Sequence, residues 1–292
     1  MKILLTGATG FLGQHVGPAI SLVGHEVLGT TRDVGTPQEA AIELTPLQMG
    51  DDLSVAIRDF APEVVVHLAW DGIPDFGADR CGENLRTQEE FFQQVLQIPS
   101  ISRVVVAGTC REYGEESDRK RGCMEATPVD EFGKAKDDLH RTLRGWCDSG
   151  SVELVWLRIF YAYGPGQRYG SLIPSIIEQA KSGDLPEVRN PEGKHDFVHV
   201  SDVAAAFVAS VGHENPPPVV DVGWGLAHRV ADLVDMVVAV VGGEEVADGP
   251  GTVADDCLIA NRLTGEALGW FPVVGIVEGV LTMIGSVGNR GS

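Results

Sequence analysis

Glycines at positions 7, 10 and 13 carry the clearest chemical signal, because they follow the apolar run Ile3–Leu5 directly and lead into an apolar, helix-compatible stretch. A strand that turns at Gly7, admits a ligand close to the backbone at Gly10 and packs its helix tightly at Gly13 presents unpaired helix N–H groups to a pyrophosphate. The spacing therefore predicts a dinucleotide-binding βαβ unit, a glycine-rich turn in a cofactor-free α/β protein being the alternative. The next strand reads Glu26 to Thr31, and at its end stand Thr30, Thr31 and Arg32. A carboxylate there would take a ribose 2′-hydroxyl, whereas a basic residue suits a 2′-phosphate. Arg32 thus favours NADP(H). NAD(H) stays open, because Asp33 adjoins it and can pair with Arg32 or meet the ribose. His195 and His199 are four residues apart, but their segment alternates like a strand and no acid-histidine pattern accompanies them, so no metal site is expected.

The elements that must position these residues alternate. Phe11 to Val23 reads as a helix that Gly17-Pro18 bends or resets, and Leu53 to Phe60 as an amphipathic helix. Val64 to Trp70 is an unbroken apolar run, as in a strand buried on both faces, with His67 a packed core histidine. Asn84 to Ile98 is a helix, Arg103 to Ala107 a strand, and Glu115 to Met124 a charged loop whose Arg119-Lys-Arg121 is solvated. Thr127-Pro128 opens a helix to about Cys147, and Val152 to Phe160 is a buried strand. Ser201-Asp202 caps a helix from Val203 to Val211, before the break at Pro216-Pro-Pro218. This order predicts an α/β fold: a doubly wound parallel sheet over residues 1–160, and a smaller α/β substrate-binding part over 161–292, with helix 203–211 packing back on the sheet.

Composition sets the outer bounds. With 292 residues and 43% apolar side chains, the chain can bury a large core. Lys+Arg 22 against Asp+Glu 42 gives a net charge of −20, which argues against nucleic acid or an anionic membrane as partner. No apolar run approaches the roughly 20 residues of a membrane span. Five scattered cysteines, at 81, 110, 123, 147 and 257, form no Cys-x-x-Cys pair, as expected of a reduced cytoplasmic protein.

The wording of Thr6-Gly-Ala-Thr-Gly-Phe-Leu-Gly13 resembles the glycine motif of the extended short-chain dehydrogenase/reductases, the nucleotide-sugar epimerase/dehydratase superfamily with a Rossmann sheet. The likeness continues through Gly108-Thr-Cys-Arg-Glu-Tyr-Gly114, Tyr161-Ala-Tyr-Gly-Pro-Gly-Gln167, Leu172-Ile-Pro174 and His195-Asp-Phe-Val-His-Val200, weakening beyond residue 250. It implies cofactor contacts at Gly7, Thr9, Gly10, Phe11, Leu12, Gly13, Arg32, Leu68, Ala69, Lys136 and Phe160. Glu43 and Leu44 resemble the pair that flanks the adenine, although Glu43 reads equally as an ordinary strand end. For the substrate it implies Arg111 and Tyr161 near the hexose, Arg189 and His195 near the diphosphate, and Leu172 and Ile173 beside the base. A surface salt bridge is the alternative for Arg189. His195 stands where the family usually has arginine, so a phosphate contact there would be weaker and pH-dependent.

Family members exchange a proton through a Tyr-x-x-x-Lys pair on one helical face, while a Ser/Thr hydroxyl holds the same sugar oxygen. Thr109 and Lys136 fall on two of these catalytic positions, but the tyrosine position is Phe132. None of the four tyrosines (113, 161, 163, 169) has lysine four residues on. A phenyl ring has no proton to exchange, so the chain should hold cofactor and substrate but turn over poorly. Three explanations stay open: a replacement introduced so that substrate remains bound, a natural member whose acid/base has moved to Tyr161 or the substrate, or a natural non-catalytic binder. Cys110-Arg111 stand where dehydratases carry Asp-Glu, and Tyr161 replaces the asparagine common in epimerases and dehydratases. The resemblance thus implies NADPH-dependent 4-ketoreduction of a nucleotide-linked 6-deoxy 4-keto sugar. NAD-dependent epimerisation is the first alternative and a non-catalytic cofactor and sugar-nucleotide binder the second. It also implies a homodimer through helices 84–98 and 128–147, whose Phe91, Phe92, Val95, Leu139, Leu143 and Trp146 would either meet a second copy or pack on the sheet.

Overall fold

The computed structural model describes residues 1–32, 42–114, 125–249, 251 and 257–287; Asp33, Ala41 and the stretch 115–124 with Arg119, Arg121 and Cys123 lie outside them. The chain opens with β1 (Lys2–Thr6), α1 (Gly13–Leu22), β2 (Glu26–Thr31), β3 (Glu43–Pro46), α2 (Val55–Phe60), β4 (Val64–His67), α3 (Ala78–Val95) and β5 (Arg103–Thr109). A 3-10 turn at Cys110–Tyr113 leads to α4 (Glu131–Gly150), β6 (Glu153–Ile159) and β7 (Tyr161–Tyr163). Then come α5 (Leu172–Ser182), β8 (Lys194–His195), β9 (Phe197–His199), α6 (Val200–Gly212), β10 (Val219–Val222) and β11 (His228–Arg229). Three helices follow: α7 (Val230–Val241), α8 (Arg262–Ala267) and α9 (Ile276–Val287).

Seven strands form one parallel sheet in the order β10-β6-β5-β4-β1-β2-β3. The strand order reverses at β1, which lies between β2 and β4, so a crevice opens beyond the carboxyl ends of β1 and β4. Consecutive residues of the central strands (Ile3-Leu4-Leu5, Val64-Val65-Val66, Val104-Val105-Val106) are all buried, because helices cover both faces. On one face Val16 and Ile20 of α1 and Val203 and Phe207 of α6 pack on Ile3, Leu5 and Val66. On the other, Ile57, Phe91, Phe92, Leu139 and Leu143 of α2, α3 and α4 pack on Leu4, Val65, Val104 and Val106. Each such side chain stabilises the fold by about 1.5–3 kcal/mol. A second, smaller core joins α5, α7 and α9 through Ile173, Ile176, Leu233, Val237 and Val280.

Several expected boundaries move. The helix after the glycine turn starts at Gly13 and continues through Pro18. The helix expected from Thr127-Pro128 starts instead at Glu131, capped by Asp130, because Thr127 is tied by its N–H to Glu112 and by its hydroxyl to Tyr113. The seventh strand of the sheet, β10, comes from beyond residue 160. Phe91, Phe92, Val95, Leu139 and Leu143, read as possible dimer contacts, are buried in the core of this one chain, and Trp146 packs at its edge. Outward, α3 and α4 present charges instead, with Arg86 bridging Glu83 and Glu90 and Lys134 pairing with Glu131. Cys81, Cys110, Cys147 and Cys257 are buried and form no disulfide. Among the described residues no helix is long and apolar enough to cross a membrane.

Candidate functional site

The glycine turn is built for close approach. Gly7 has φ +69°, and a Cβ there would lie 2.9 Å from the Ala69 nitrogen. A Cβ on Gly13 would lie 2.1 Å from the Gly7 carbonyl oxygen, so neither position admits a side chain. The turn is closed by the Gly10 N–H donating to Gly7 at 3.0 Å and anchored by the Ala8 N–H donating to Thr30 at 3.2 Å. Leu12 caps α1 and packs into the core, and the Phe11 ring sits edge-on to His15 at 6.2 Å. A cavity of about 340 Å³ begins at Gly7, Thr9 and Gly10. It continues along Thr31-Arg32, Leu47 to Met49, Leu68 to Asp71, and Arg80 and Asn84 of α3. Backbone that only glycine tolerates, a helix N-terminus and a cavity along the switch point fit a dinucleotide.

Glu43 and Leu44, expected beside the adenine, do not line this cavity. Register explains the difference. In β3 Glu43 pairs with Leu28 and Pro46 with Thr31, so the carboxyl end of the strand, where ligands bind, lies past Pro46. Leu44 packs on the sheet core, and Leu47 and Gln48, just past the strand, line the cavity. Arg32 forms an ion pair with Asp71. Phe160 is buried among Cys110, Tyr113, Leu258 and Ala260, away from the cavity.

The second half of the site lies where β4, β5 and α4 meet. Lys136 is buried, donates from Nζ to the Ala107 carbonyl at 2.9 Å and lies 4.3 Å over the Trp70 ring. Burial pulls its ammonium down to about 8, against the upward pull of the Glu112 charge. Thr109 ends β5 two residues beyond Ala107, and its hydroxyl accepts from the Arg111 N–H at 3.3 Å. Glu112 closes the capping box by accepting the Thr109 N–H at 2.8 Å. The same carboxylate accepts from Trp156 Nε1 at 2.9 Å and from Arg158 Nε at 2.7 Å. Arg158 in turn covers the Tyr113 ring at 4.3 Å, and Tyr113 donates to Asp221 at 2.6 Å. Thr109 therefore sits on a fully buried polar scaffold.

Phe132 lies one helical turn before Lys136, on the same face of α4. Its ring meets Trp70 edge-on at 5.1 Å and Phe76 at 4.7 Å, and it is nearly buried. Thr109, Phe132 and Lys136 thus converge at the ends of β4 and β5, and Phe132 offers no polar atom.

The substrate residues fall into two groups. Arg111 donates to Asp130 at 2.9 Å, with its guanidinium 4.7 Å from the Phe76 ring and 5.8 Å from the Phe132 ring, so it borders the Thr109 region. Tyr161 stacks on His195 at 4.1 Å beyond β6, the neighbour of β5. Burial lowers the affinity of His195 for a proton, so it is a poor phosphate cation at neutral pH. Ile173 is buried in the α5–α7–α9 core with Leu172 against it, and Arg189 is exposed between α5 and β8.

Trp70, Asp71, Leu47, Gln48, Arg80 and Asn84 also line the cavity, and the sequence alone does not point to them. Their only signal is strand order, which no single segment carries. Glu112, Asp137 and His140 bring three potential ligand atoms within 4.8 Å of one another, but Arg158 and Arg141 already neutralise the two carboxylates. His67 is a core residue: it joins Thr6 at 2.8 Å and Gln88 at 2.9 Å and stacks on Phe91.

Comparison with known proteins gives the family and the fold. The model of the NAD dependent epimerase/dehydratase family matches residues 3–223. The dTDP-6-deoxy-L-talose 4-dehydrogenase (NAD(P)(+)) of Kitasatospora kifunensis is 26% identical over 291 residues, covering 93% of this chain and 91% of that protein. The dTDP-4-dehydro-6-deoxy-D-allose reductase of Streptomyces bikiniensis is 27% identical over 274 residues, covering 83% and 82%. The Thermus thermophilus UDP-glucose 4-epimerase, solved in complex with NAD, shares the fold with a TM-score of 0.82 at 22% identity, covering 99% and 100%. The chain belongs to the NAD dependent epimerase/dehydratase family and is an NAD(P)-dependent enzyme of the extended short-chain dehydrogenase/reductase type.

Proposed function

We propose that the protein binds NADP(H) together with a nucleotide-linked 4-keto-6-deoxy sugar, as a 4-ketoreductase whose proton-donor position is filled by Phe132. The observation that carries this reading is the convergence of Thr109 and Lys136 at the end of β5, with Phe132 one turn away on the helix that carries the lysine. The two relatives named for 6-deoxy sugars support the substrate class.

A bound nicotinamide supplies the hydride for the sugar carbonyl. The chain must then hold the carbonyl oxygen and provide its proton. The Thr109 hydroxyl can donate a hydrogen bond to that oxygen, fixed in direction by the Glu112 capping box. Lys136, buried and mostly cationic at neutral pH, stabilises negative charge developing nearby. Phe132 can deliver no proton, so the site orients its ligands and leaves the transfer unassisted. Arg111 and Tyr161 border the hexose, with Leu172 and Arg189 on the side of the nucleotide. The substrate-covering part consists of β7 to β9, β11, α5, α7 and α9, while α8 packs on β10 of the sheet. A homodimer would have to use the charged outer faces of α3 and α4, which light scattering can test.

Epimerisation with retained NAD is the second reading. It is the reading in which the Arg32–Asp71 ion pair persists and Arg32 meets no 2′-phosphate. Titration of NADPH and NADH, each with and without GDP-, CDP-, UDP- and dTDP-linked 4-keto sugars, separates the readings. NADPH binding that tightens with one ketosugar, with little oxidation, supports the blocked reductase. Retained NAD without preference for NADPH promotes the epimerase. Binding of neither nucleotide contradicts both.

A further inference from the structure

Two arginines from distant parts of the chain share one carboxylate at the rim of the cofactor crevice. Arg32, just past β2, pairs with Asp71 Oδ1, and Arg80, in the first turn of α3, pairs with Asp71 Oδ2 at 2.9 Å. All three line the cavity that begins at Gly7 and Gly10. The carboxylate is held in place through its backbone. The Asp71 N–H donates to Asn84 Oδ1 at 2.7 Å, and its carbonyl accepts from Asn84 Nδ2 at 3.0 Å. Arg80 is aimed by packing: Gly72 lies beneath it, and a Cβ there would come within 2.8 Å of its side chain.

Arg32 and Arg80 lie between the glycine turn and Leu47 to Met49, where the adenosine ribose of a bound dinucleotide would lie, with Asp71 between them, Asp75 3.9 Å from Arg80 Nε and Glu83 also lining the cavity. One carboxylate has two oxygens for two guanidinium forks. A phosphate dianion has three terminal oxygens and twice the charge, and offers each fork a better match. The existing pairs are weak, since the Arg32 and Arg80 side chains are 65% and 41% exposed. They can be exchanged at little cost.

The geometry points to Arg80 as a second arginine, beside Arg32, that recognises the 2′-phosphate of NADP(H), with Asp71 as the built-in anion this phosphate displaces. The Asp71 carboxylate thereby sets the balance between NADPH and NADH, because with NADH it stays between the arginines and neither contributes to binding. This assignment rests on the dinucleotide reading of the crevice and adds to it residues on β4's exit and on α3.

Calorimetric titration of NADPH and NADH against the unaltered protein, Arg80→Gln and Asp71→Asn tests it. The unaltered protein should prefer NADPH. Arg80→Gln should weaken NADPH at least roughly tenfold more than NADH, the scale of one charge-assisted hydrogen bond. Asp71→Asn, which leaves the backbone bonds to Asn84 intact, should raise the preference for NADPH. Equal affinity for both nucleotides in the unaltered protein, equal weakening of both by Arg80→Gln, or a lower preference in Asp71→Asn would each overturn the assignment. If neither nucleotide binds the unaltered protein, the dinucleotide reading fails and this assignment falls with it.

Discussion

The Glu112 carboxylate and the Arg158 guanidinium meet at 2.7 Å with side-chain exposures of 0% and 3%. Burial on its own pushes the Glu112 carboxyl up, and Arg158, the Thr109 N–H and Trp156 pull it back. Removing the acid takes from the buried Arg158 its Glu112 carboxylate and leaves Trp156 Nε1 and the Thr109 N–H without this acceptor. Glu112→Ala should therefore destabilise the fold by about 3–5 kcal/mol in urea unfolding. Glu112→Gln keeps an acceptor for Thr109 and Trp156 and should cost less. A loss below about 1 kcal/mol for the alanine variant would show that the scaffold tolerates the loss of this ion pair.

Two glycine-to-alanine changes should part company. Gly13→Ala drives a Cβ to 2.1 Å from the Gly7 carbonyl and should lower both thermal stability and dinucleotide affinity. Gly82→Ala, inside α3 with nothing within 4 Å of its Cβ, should raise stability by about 0.5–1 kcal/mol and leave affinity unchanged. Equal behaviour of the two in a thermal melt would contradict the close-packed turn.

His67 makes stability acid-sensitive. Burial, with the Lys136 charge adding to it, holds the imidazole down to about 3 against an ordinary 6.5. As pH falls below 6.5 the unfolded chain takes up this proton first, so the contribution is complete above 6.5 and is lost progressively toward 3. Between neutral pH and pH 5 the loss from this residue is about 2 kcal/mol. His67→Gln, less stable at neutral pH, should show a correspondingly shallower pH slope in urea unfolding. An unchanged slope would mean that the imidazole is not held neutral.

How far the sequence could be read follows from what each signal encodes. The glycines at 7, 10 and 13 were legible because each is demanded by a local backbone approach, and the apolar runs of β4 and β6 because burial on both faces removes alternation. Leu47, Gln48, Asp71 and Arg80 were not legible, since they become neighbours only through the β2–β3 register and the strand order around β1. Leu47 and Gln48 line the cavity while Glu43 and Leu44 do not, because the carboxyl end of a four-residue strand is something propensity cannot locate within three positions. The faces of α3 and α4 were legible as apolar, but periodicity does not tell whether a sheet or a second copy covers them. The structure supplies the sheet.

On the proposed reading the site is assembled and lacks only a proton donor at position 132. The most direct test is ketosugar-dependent oxidation of NADPH by the unaltered protein and by Phe132→Tyr, using the ketosugar that tightens NADPH binding. The new hydroxyl would stand one turn from Lys136 on the same helical face, as in a Tyr-x-x-x-Lys pair. Little or no turnover is expected of the unaltered protein, and a rate higher by roughly 10²–10⁴-fold in Phe132→Tyr. Equal rates for the two proteins, with both ligands shown to bind, would contradict it and place the acid/base elsewhere in the site.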